Sequence, residues 1–416
     1  MKILFITMSD SIHSARWINN ITDQGWKIHV FPTEDFVGLH PLLQDKNIFF
    51  YRSRFVQYLI KKYKSKKTVS GKFSQNSPIT KDVPSPVLLR AIFKKFFPNY
   101  KIKKLCSVIK KIKPDIIQSM HIQEAGYLTL EAKKILNRDP KFNFPVWIVT
   151  NYGSEIDLFG KTIYHKEKIK EVLKNCDYYS AECQRDLEYA KNFGFKGKYL
   201  SVIPNSGGID FENVNKLASK LKPSLRKNIM IKGYQGWAGR ALVALRAIER
   251  CTDILDGYEI LIYSIDTNEV LIKAELLEND LKIPVKIIGS EANHDDILKY
   301  HGQSRMSIGL SISDAISTSF LEAMAMGSFP IQSDTSCAKE WAKDGRNFIL
   351  VSPEDPEIVE KAIRKALADD KMVDQAAKEN YGLLFNSLEK SKIKEKIILQ
   401  YKKVFSCILK GSDSKV

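Results

Sequence analysis

The chain has 416 residues, of which 44% are hydrophobic and 10% aromatic, and its formal net charge is +17. This composition excludes a disordered chain, and at roughly 150 residues per domain the length predicts two or three domains. The positions of the charges exclude an evenly basic surface, because residues 52–113 hold 18 Lys and Arg against one acid, Asp82. The remaining residues are electrically balanced, so one segment carries the whole excess.

A basic segment in a neutral body indicates a localised anionic contact, although a solvated lysine-rich insertion is the simpler interpretation. Within this segment, residues 64–86 have the composition of a loop. Five apolar residues then follow at helical spacing between basic ones: Leu89, Ile92, Phe93, Phe96 and Phe97. That pattern fits a helix on a membrane surface or an ordinary core face, and the sequence leaves both interpretations open.

The sequence lacks metal-ligand spacings and long apolar runs, and these absences predict its metal content and its cellular location. Six Cys and seven His are scattered without the spacing of metal ligands or of a disulfide framework, so we expect neither. The first apolar run, residues 3–6, is too short for a signal peptide and predicts a buried strand. Since no run of 18 apolar residues occurs, we expect a cytoplasmic protein, with peripheral contact to the inner face of a membrane left open by the basic segment.

Short apolar runs alternate with helical patterns along the chain, which predicts parallel strands joined by crossover helices. In the first half the runs are residues 3–6, 27–31, 115–118, 146–150, 178–181 and 199–203, with a helical pattern at 15–24. Turn residues at 204–208 then precede a polar helical segment, which continues to about residue 222. Further runs occur at residues 228–231, 259–263, 285–288, 306–310, 329–332 and 348–351.

We therefore predict an α/β protein with two Rossmann-like, doubly wound parallel-sheet domains, residues 1–205 and 206–385. Residues 386–416 form a C-terminal helix and tail, whose amphipathic pattern at 388–405 predicts a helix that packs back on the body. The basic segment, about residues 52–113, is an insertion in the first domain. Two domains of similar size place a cleft between them, where ligands commonly bind.

The chemistry-bearing segment follows the run at residues 306–310. A loop of small residues leads into a helix that begins near Ser317, Thr318 and Ser319. Free amides at a helix N-terminus suit a phosphate or diphosphate, and Glu322, one turn further on, can accept hydrogen bonds from the paired hydroxyls of a ribose. The alternative is structural, because Ser and Thr at a helix start often serve only as caps.

Several motifs in register resemble those of a known family. Asp314, Glu322 and residues 322–331 resemble the nucleotide-sugar signature of retaining glycosyltransferases with the GT-B fold, most closely glycosyltransferase family 4. Downstream, residues 344–348, 353–356 and 358–367 continue the family's pattern, and residues 286–289 with 296–300 resemble its base-binding strand and helix. In the first half the matching segments are residues 12–17, 25–30, 113–121, 151–155 and 202–210.

This resemblance implies a retaining transfer of a sugar from a nucleotide-diphosphate sugar to a glycoconjugate or lipid-linked acceptor, in surface polysaccharide or glycolipid assembly. It implies no metal and no cofactor, while the basic segment of residues 52–113 indicates an anionic membrane surface as a partner. The implied catalytic residues are Asp314, His121 and Glu155. The implied donor-binding residues are Arg240, Lys232, Gly239, Gly289, Ser317, Thr318, Ser319 and Glu322.

Two departures from the family pattern bear on these roles. The family usually has Glu where Asp314 stands, so any action on the donor sugar starts from a shorter side chain. The family's basic pair is also altered, since a Gly-rich stretch at residues 231–240 places Arg240 roughly where a diphosphate-binding Lys is expected and leaves Lys232 as the second cation. Taken alone, such a stretch is an ordinary turn, and a single His such as His121 is more often structural than catalytic.

Two other function classes remain open. The basic segment is compatible with a nucleic-acid-binding protein, although the sequence contains no known nucleic-acid module, and we expect no nucleic-acid partner. Asp314 also leaves open a sugar epimerase or an inactive homologue on the same fold. The donor sugar, its base, the acceptor and the oligomeric state are not predicted.

Overall fold

The structure is a computed structural model that describes residues 1–53 and 99–413. Most of the basic insertion, residues 54–98, lies outside the described residues. The predicted loop at residues 64–86 and the apolar pattern from Leu89 to Phe97 fall there as well.

The first domain contains a parallel sheet of seven strands in the order β3-β2-β1-β4-β5-β6-β7. Its strands are β1 (Lys2–Thr7), β2 (Lys27–Pro32), β3 (Ile48–Phe50), β4 (Ile116–Met120), β5 (Val146–Thr150), β6 (Tyr178–Ser180) and β7 (Lys198–Tyr199). All five residues of β4 are buried, because helices cover both faces of the sheet. This two-sided burial explains why the strands read as continuous apolar runs in the sequence.

The second domain contains a parallel sheet of six strands in the order β10-β9-β8-β11-β12-β13. Its strands are β8 (Asn228–Lys232), β9 (Glu259–Tyr263), β10 (Val285–Ile288), β11 (Ser304–Gly309), β12 (Phe329–Ser333) and β13 (Ile349–Val351). In both sheets the chain starts at an inner strand, moves to one edge and returns to the other side. The prediction of two doubly wound α/β domains is confirmed.

Helices connect the strands of each sheet. Those of the first domain are Ile12–Asn19, Pro41–Gln44, Tyr100–Ile112, Tyr127–Leu136, Ser154–Asp157, Ile163–Asn175 and Gln184–Asn192, with a π-helical turn at Ile122–Gly126. Those of the second domain and the tail are Phe211–Leu217, Ala241–Glu249, Asn268–Leu281, His294–Gln303, Thr318–Ala325, Pro356–Ala368, Asp370–Leu388 and Lys390–Asp413.

The predicted strands lie within one or two residues of the observed ones, apart from β7, which ends at Tyr199 instead of residue 203. The three-residue edge strand β3, whose residues are only partly buried or exposed, had no counterpart in the prediction. The predicted helix at residues 15–24 is observed at Ile12–Asn19 instead. Turn hydrogen bonds follow it, such as that from the Gln24 amide to the Ile21 carbonyl at 3.3 Å.

The C-terminal helix Lys390–Asp413 returns to the first domain, as predicted. Trp17 Nε1 donates to the hydroxyl of Tyr401 at 2.8 Å, and that hydroxyl donates to Oε1 of Gln118. Gln400 Nε2 donates to the carbonyl of Ser201 at 3.2 Å. The tail therefore fastens the end of the chain to the first sheet. Among the described residues, no helix combines the length and apolarity needed to cross a membrane.

Candidate functional site

The carboxyl ends of the two sheets meet at the cleft between the domains, where open α/β sheets bind ligands. The loop after β5 touches the loop after β11. Ser154 Oγ donates to the Ser313 carbonyl at 3.1 Å, and Ser313 Oγ donates to Oδ2 of Asp157 at 2.8 Å. Arg185 adds a hydrogen bond of 2.9 Å to the carbonyl of Asp314. The segment that carries Asp314 is thus held across the cleft by three residues of the first domain.

The two domains approach each other closely at Gly153. This residue has φ of +112°, and a Cβ atom there would lie 2.3 Å from the backbone nitrogen of Ala315. Glycine is therefore required both by the backbone conformation and by the lack of space. The neighbour of Ala315 is Asp314, so this contact fixes the backbone beside a predicted catalytic residue.

The helix Thr318–Ala325 begins where the sequence predicts, and its first turn points into the cleft. Ser317 stands at the N-cap but makes no side-chain capping hydrogen bond. Its Oγ instead pairs with Oγ of Ser319 at 2.8 Å. The alternative of ordinary side-chain capping by Ser317 thus does not describe this helix start. Its amides can serve an anion.

Asp314 lines a cavity of about 170 Å³ together with Lys232, Ser317 and Trp237. Burial raises the pKa of Asp314, and the positive charge of Lys232 opposes that shift. Lys232 ends strand β8, and no described side chain forms an ion pair with it. The cavity therefore contains the carboxyl group of Asp314, the cation of Lys232 and the start of the helix Thr318–Ala325.

Arg240 occupies a different position from Lys232. Its Nη1 donates to the Gly239 carbonyl at 2.7 Å, and its Nε lies 3.4 Å from Oε1 of Glu354. Arg240 does not line the cavity that contains Asp314 and Lys232. A Cβ on Gly239 would lie 2.0 Å from the Tyr234 carbonyl oxygen, so Gly239 allows a tight fold of the loop. Of the two predicted cations, Lys232 is the one placed beside Asp314.

Glu322 faces a second cavity, of about 230 Å³, which also contains Thr318, Arg16 and His294. Its Oε1 accepts a hydrogen bond of 2.6 Å from Nε2 of His294, and Nη1 of Arg16 lies 3.6 Å from the same oxygen. Burial alone would raise the pKa of Glu322, but His294 and Arg16 outweigh it and hold that pKa below its usual value. Glu322 is therefore an ionised acceptor at neutral pH.

His121 and Glu155 lie close together in the structure. The Nε2 atom of His121 lies 3.8 Å from Oε1 of Glu155. The buried carboxylate of Glu155 accepts the amide of Tyr152 at 2.9 and 3.0 Å. His121 has φ of +100°, a strained backbone conformation that is frequent at functional sites. Gly289, by contrast, follows strand β10 and lines neither of the two cavities.

Three further residues lie near these groups, and none of them was assigned a role from the sequence. Arg16 and His294 hold Glu322, as described above. His13 follows β1, and its ring centroid lies 6.1 Å from that of Tyr152. Burial, together with the charges of Arg16 and Lys232, lowers the pKa of His13 to about 4. The position of His13 at the start of the helix that follows an inner strand was the sequence signal that could have found it.

One group of possible metal ligands lies together among the described residues. Cys183, Asp186 and Cys337 place their ligand atoms within 4.8 Å of one another. The sequence spacing did not indicate this group, because the cysteines come from different domains. Both oxygens of Asp186 are already hydrogen-bonded, to Asn151 at 2.7 Å and to Arg185 at 2.9 Å. The adjacent guanidinium disfavours a cation here.

Comparisons with known proteins bear on the fold and on part of the sequence. The chain is similar in structure to sucrose-phosphate synthase from Thermosynechococcus elongatus, with a TM-score of 0.68, 15% identity and coverage of 98% of this chain and 100% of that chain. It is similar to the Anabaena protein HepE, solved in complex with UDP-glucose, with a TM-score of 0.64, 13% identity and coverage of 97% and 100%.

A third similar structure is the α,α-trehalose 6-phosphate synthase of Burkholderia multivorans, with a TM-score of 0.65, 11% identity and coverage of 98% of this chain and 99% of that chain. At such low identities the likeness shows the fold, which is the GT-B arrangement of two Rossmann-like domains. No curated protein matches the chain in sequence. Residues 244–382, which include Asp314 and Glu322, match the family model described as glycosyl transferases group 1.

Proposed function

We propose that the protein transfers a sugar, with retention of its anomeric configuration, from a nucleotide-diphosphate sugar to a glycan or lipid-linked acceptor. One observation carries the proposal. The uncapped start of the helix Thr318–Ala325 stands between two cavities, of which one contains Glu322 and the other contains Asp314 and Lys232. A nucleotide sugar has a ribose, a diphosphate and a sugar in that order, and the three groups match these three positions.

The ribose end of the donor is assigned to Glu322. An ionised carboxylate accepts hydrogen bonds from two adjacent hydroxyls, and such charge-assisted bonds are stronger than neutral ones. The lowered pKa of Glu322 keeps the group ionised. When a ribose binds, its hydroxyls take over part of the bonding that His294 and Arg16 now supply.

The diphosphate is assigned to the helix start and to Lys232. Breaking the bond between the anomeric carbon and the diphosphate leaves negative charge on the departing oxygen, and the new bond forms to the acceptor oxygen. One proton is released with the nucleoside diphosphate. Fixed amides and a cation at that oxygen stabilise the transition state more than the ground state, and they do so without a metal.

Asp314 is assigned to the donor sugar, with His121 and Glu155 on the acceptor side. Asp314 shares the cavity of Lys232, whereas His121 and Glu155 belong to the first domain, just beyond the carboxyl ends of β4 and β5. We assign no enzyme nucleophile. The complex of the Anabaena relative with UDP-glucose supports a nucleotide sugar as the donor, without identifying the base for this chain.

The acceptor side of the proposal rests on the sequence. The charge of residues 52–113 favours work at an anionic membrane surface on the cytoplasmic side, in polysaccharide or glycolipid assembly. Anionic lipids attract each nearby Lys or Arg by about 1 kcal/mol. The central part of that segment, residues 54–98, lies outside the described residues.

A thermal-shift screen with UDP-, GDP- and ADP-sugars tests the proposal, because a ligand that binds only the folded state raises the melting temperature. We expect one nucleotide class to stabilise the protein and to be slowly hydrolysed. Lys232→Met should weaken that stabilisation. Arg240→Met should change it less, because the guanidinium of Arg240 is already paired to Glu354. If no nucleotide sugar shifts the melting temperature, the protein is not a nucleotide-sugar enzyme.

A further inference from the structure

Trp237 is a large aromatic residue left exposed beside the candidate site. It lines the cavity that contains Asp314 and Lys232, yet 56% of its surface is accessible to solvent. A tryptophan is a costly residue to leave in water, and an exposed one at a cavity mouth indicates a binding surface. No step of the proposed donor chemistry uses it.

The exposure of Trp237 is imposed by a rigid loop. The amides of Gln235 and Gly236 donate to the carboxylate of Asp266, at 2.8 and 3.0 Å. On the other side of Trp237, the carbonyl of Ala238 accepts the amide of Ile312 at 2.9 Å. Hydrogen bonds on both sides thus hold the indole in place, so it presents a preorganised flat surface.

Further rings continue from Trp237 across the domain boundary. The ring of Phe159 lies 5.2 Å from that of Trp237, and His165 lies 5.2 Å from Phe159. Tyr164 lies 4.9 Å from His165 and is 78% exposed. We call these four residues the aromatic ridge. It joins Trp237 of the second domain to three residues of the first, so it is complete only when the cleft has this closed form.

We propose that the aromatic ridge is the subsite for the acceptor, and that Trp237 stacks against the apolar face of the acceptor's terminal sugar ring. A pyranose has one face of C–H groups and an edge of hydroxyls. An aromatic plane stacks against the C–H face, and polar groups at the cavity form hydrogen bonds with the hydroxyls. Because Trp237 and Asp314 line one cavity, a sugar on Trp237 sits at the mouth of the site assigned to the donor sugar. This inference rests on the proposed function.

The test uses methyl glycosides of glucose, galactose, mannose and N-acetylglucosamine as probes, with saturation-transfer NMR on the full chain in the presence of UDP, GDP or ADP. We expect at least one glycoside to bind. Trp237→Ala should weaken its binding by about tenfold, as is typical for a central aromatic anchor, and Trp237→Phe should restore most of it. Leu399→Ala is the matched control, since Leu399 is 52% exposed on the C-terminal helix.

Two results would overturn the inference. Either no glycoside binds the wild-type protein, or Trp237→Ala binds as tightly as the wild type. A parallel measurement with phosphatidylglycerol vesicles covers the other partner. If Trp237→Ala weakens binding to vesicles but not to any glycoside, the aromatic ridge contacts a membrane and the inference is wrong. If glycoside binding fails but a nucleotide sugar still stabilises the wild-type protein, the proposed function stands and only this inference is wrong. If no nucleotide sugar binds the wild-type protein, both are wrong.

Discussion

At the scale of single residues, Asp314 is a buried acid whose chemistry differs from that of the free amino acid. Burial raises its pKa, while Lys232 in the same cavity favours the ionised form. Its carboxyl group is one bond shorter in reach than the Glu that the resembled family usually has. A shorter acid in this cavity is consistent with a sugar held close to the backbone of residues 311–315.

Asp314→Asn keeps the shape of the side chain and removes its charge. If Asp314 acts on the donor sugar in the transition state, we expect turnover to fall by about 100-fold or more while donor affinity changes little. Steady-state transfer kinetics with calorimetry of donor binding separate the two effects. Asp314→Glu is the control and should retain measurable turnover, whereas full activity in Asp314→Asn would contradict the assignment.

His301 gives a prediction about stability. It is buried with Nδ1 paired to Oγ of Ser307 at 2.8 Å and with Nε2 unpaired, and burial lowers its pKa to about 4. Because the folded pKa lies below the unfolded value of 6.5, the unfolded chain binds the proton first. Stability should therefore fall as the pH drops from 6.5 to 4, by about 3 kcal/mol from this residue.

Urea unfolding at pH 7 and pH 4.5 measures that contribution. His301→Gln cannot titrate, so its stability should depend less on pH than that of the wild type. His13 also has a lowered pKa and remains in both proteins, so its contribution cancels in the comparison. Equal losses of stability in the two proteins would show that His301 is not buried in its neutral form.

At the scale of elements, the two loops that meet across the cleft decide the geometry of the site. Gly153→Ala would place a Cβ 2.3 Å from the nitrogen of Ala315, so we expect lower stability and at least tenfold lower turnover. Gly25→Ala is the matched control, since Gly25 also has positive φ, at +68°, but an added Cβ would meet nothing within 4 Å.

Urea unfolding and transfer assays on both variants isolate the interdomain contact. Gly25→Ala should cost only the strain of a left-handed residue, about 1–2 kcal/mol, and keep wild-type turnover at a temperature where it is folded. If Gly153→Ala matches Gly25→Ala in both measurements, the closed arrangement of the loops is not the active one.

The elements also show what the sequence could predict. Twelve of the strands were foreseeable as local apolar runs, because most of them are buried on both faces, whereas the residues of the edge strand β3 are only partly buried or exposed. The start of the helix at Thr318 was also predictable, because the small residues that signal it lie next to one another in the chain.

The contacts across the cleft were not predictable in this way. Arg16 meets Glu322, and Cys183 lies 2.8 Å from Cys337, because two separate domains close on each other. No periodicity within one segment records such a contact. The different positions of Lys232 and Arg240 were not predictable either, because they depend on where Glu354 lies in the fold.

At the scale of the whole molecule, the C-terminal helix connects the end of the second half to the first domain. Tyr401 is buried, accepts a hydrogen bond from Trp17 and donates one to Gln118. Tyr401→Phe leaves buried polar atoms of both neighbours unpaired, so we expect a loss of about 1–3 kcal/mol in the free energy of unfolding.

Chemical denaturation of Tyr401→Phe and Tyr381→Phe measures this fastening. Tyr381 makes a single exposed hydrogen bond, of 2.9 Å, to Asn215, and its variant should lose well under half as much. If both variants unfold with the wild-type free energy, the hydrogen bonds of the tail helix add nothing to the stability of the molecule.

The central claim is that a nucleotide-sugar donor binds across the start of the helix Thr318–Ala325, with its ribose on Glu322. Titration calorimetry of the wild type and Glu322→Gln with the nucleotide sugar that stabilises the protein most tests it directly. Since a hydrogen bond to a charged group contributes about 1.5–3 kcal/mol, we predict that Glu322→Gln binds the donor about 10- to 100-fold more weakly while remaining folded. Unchanged donor affinity in a folded Glu322→Gln protein would contradict the claim.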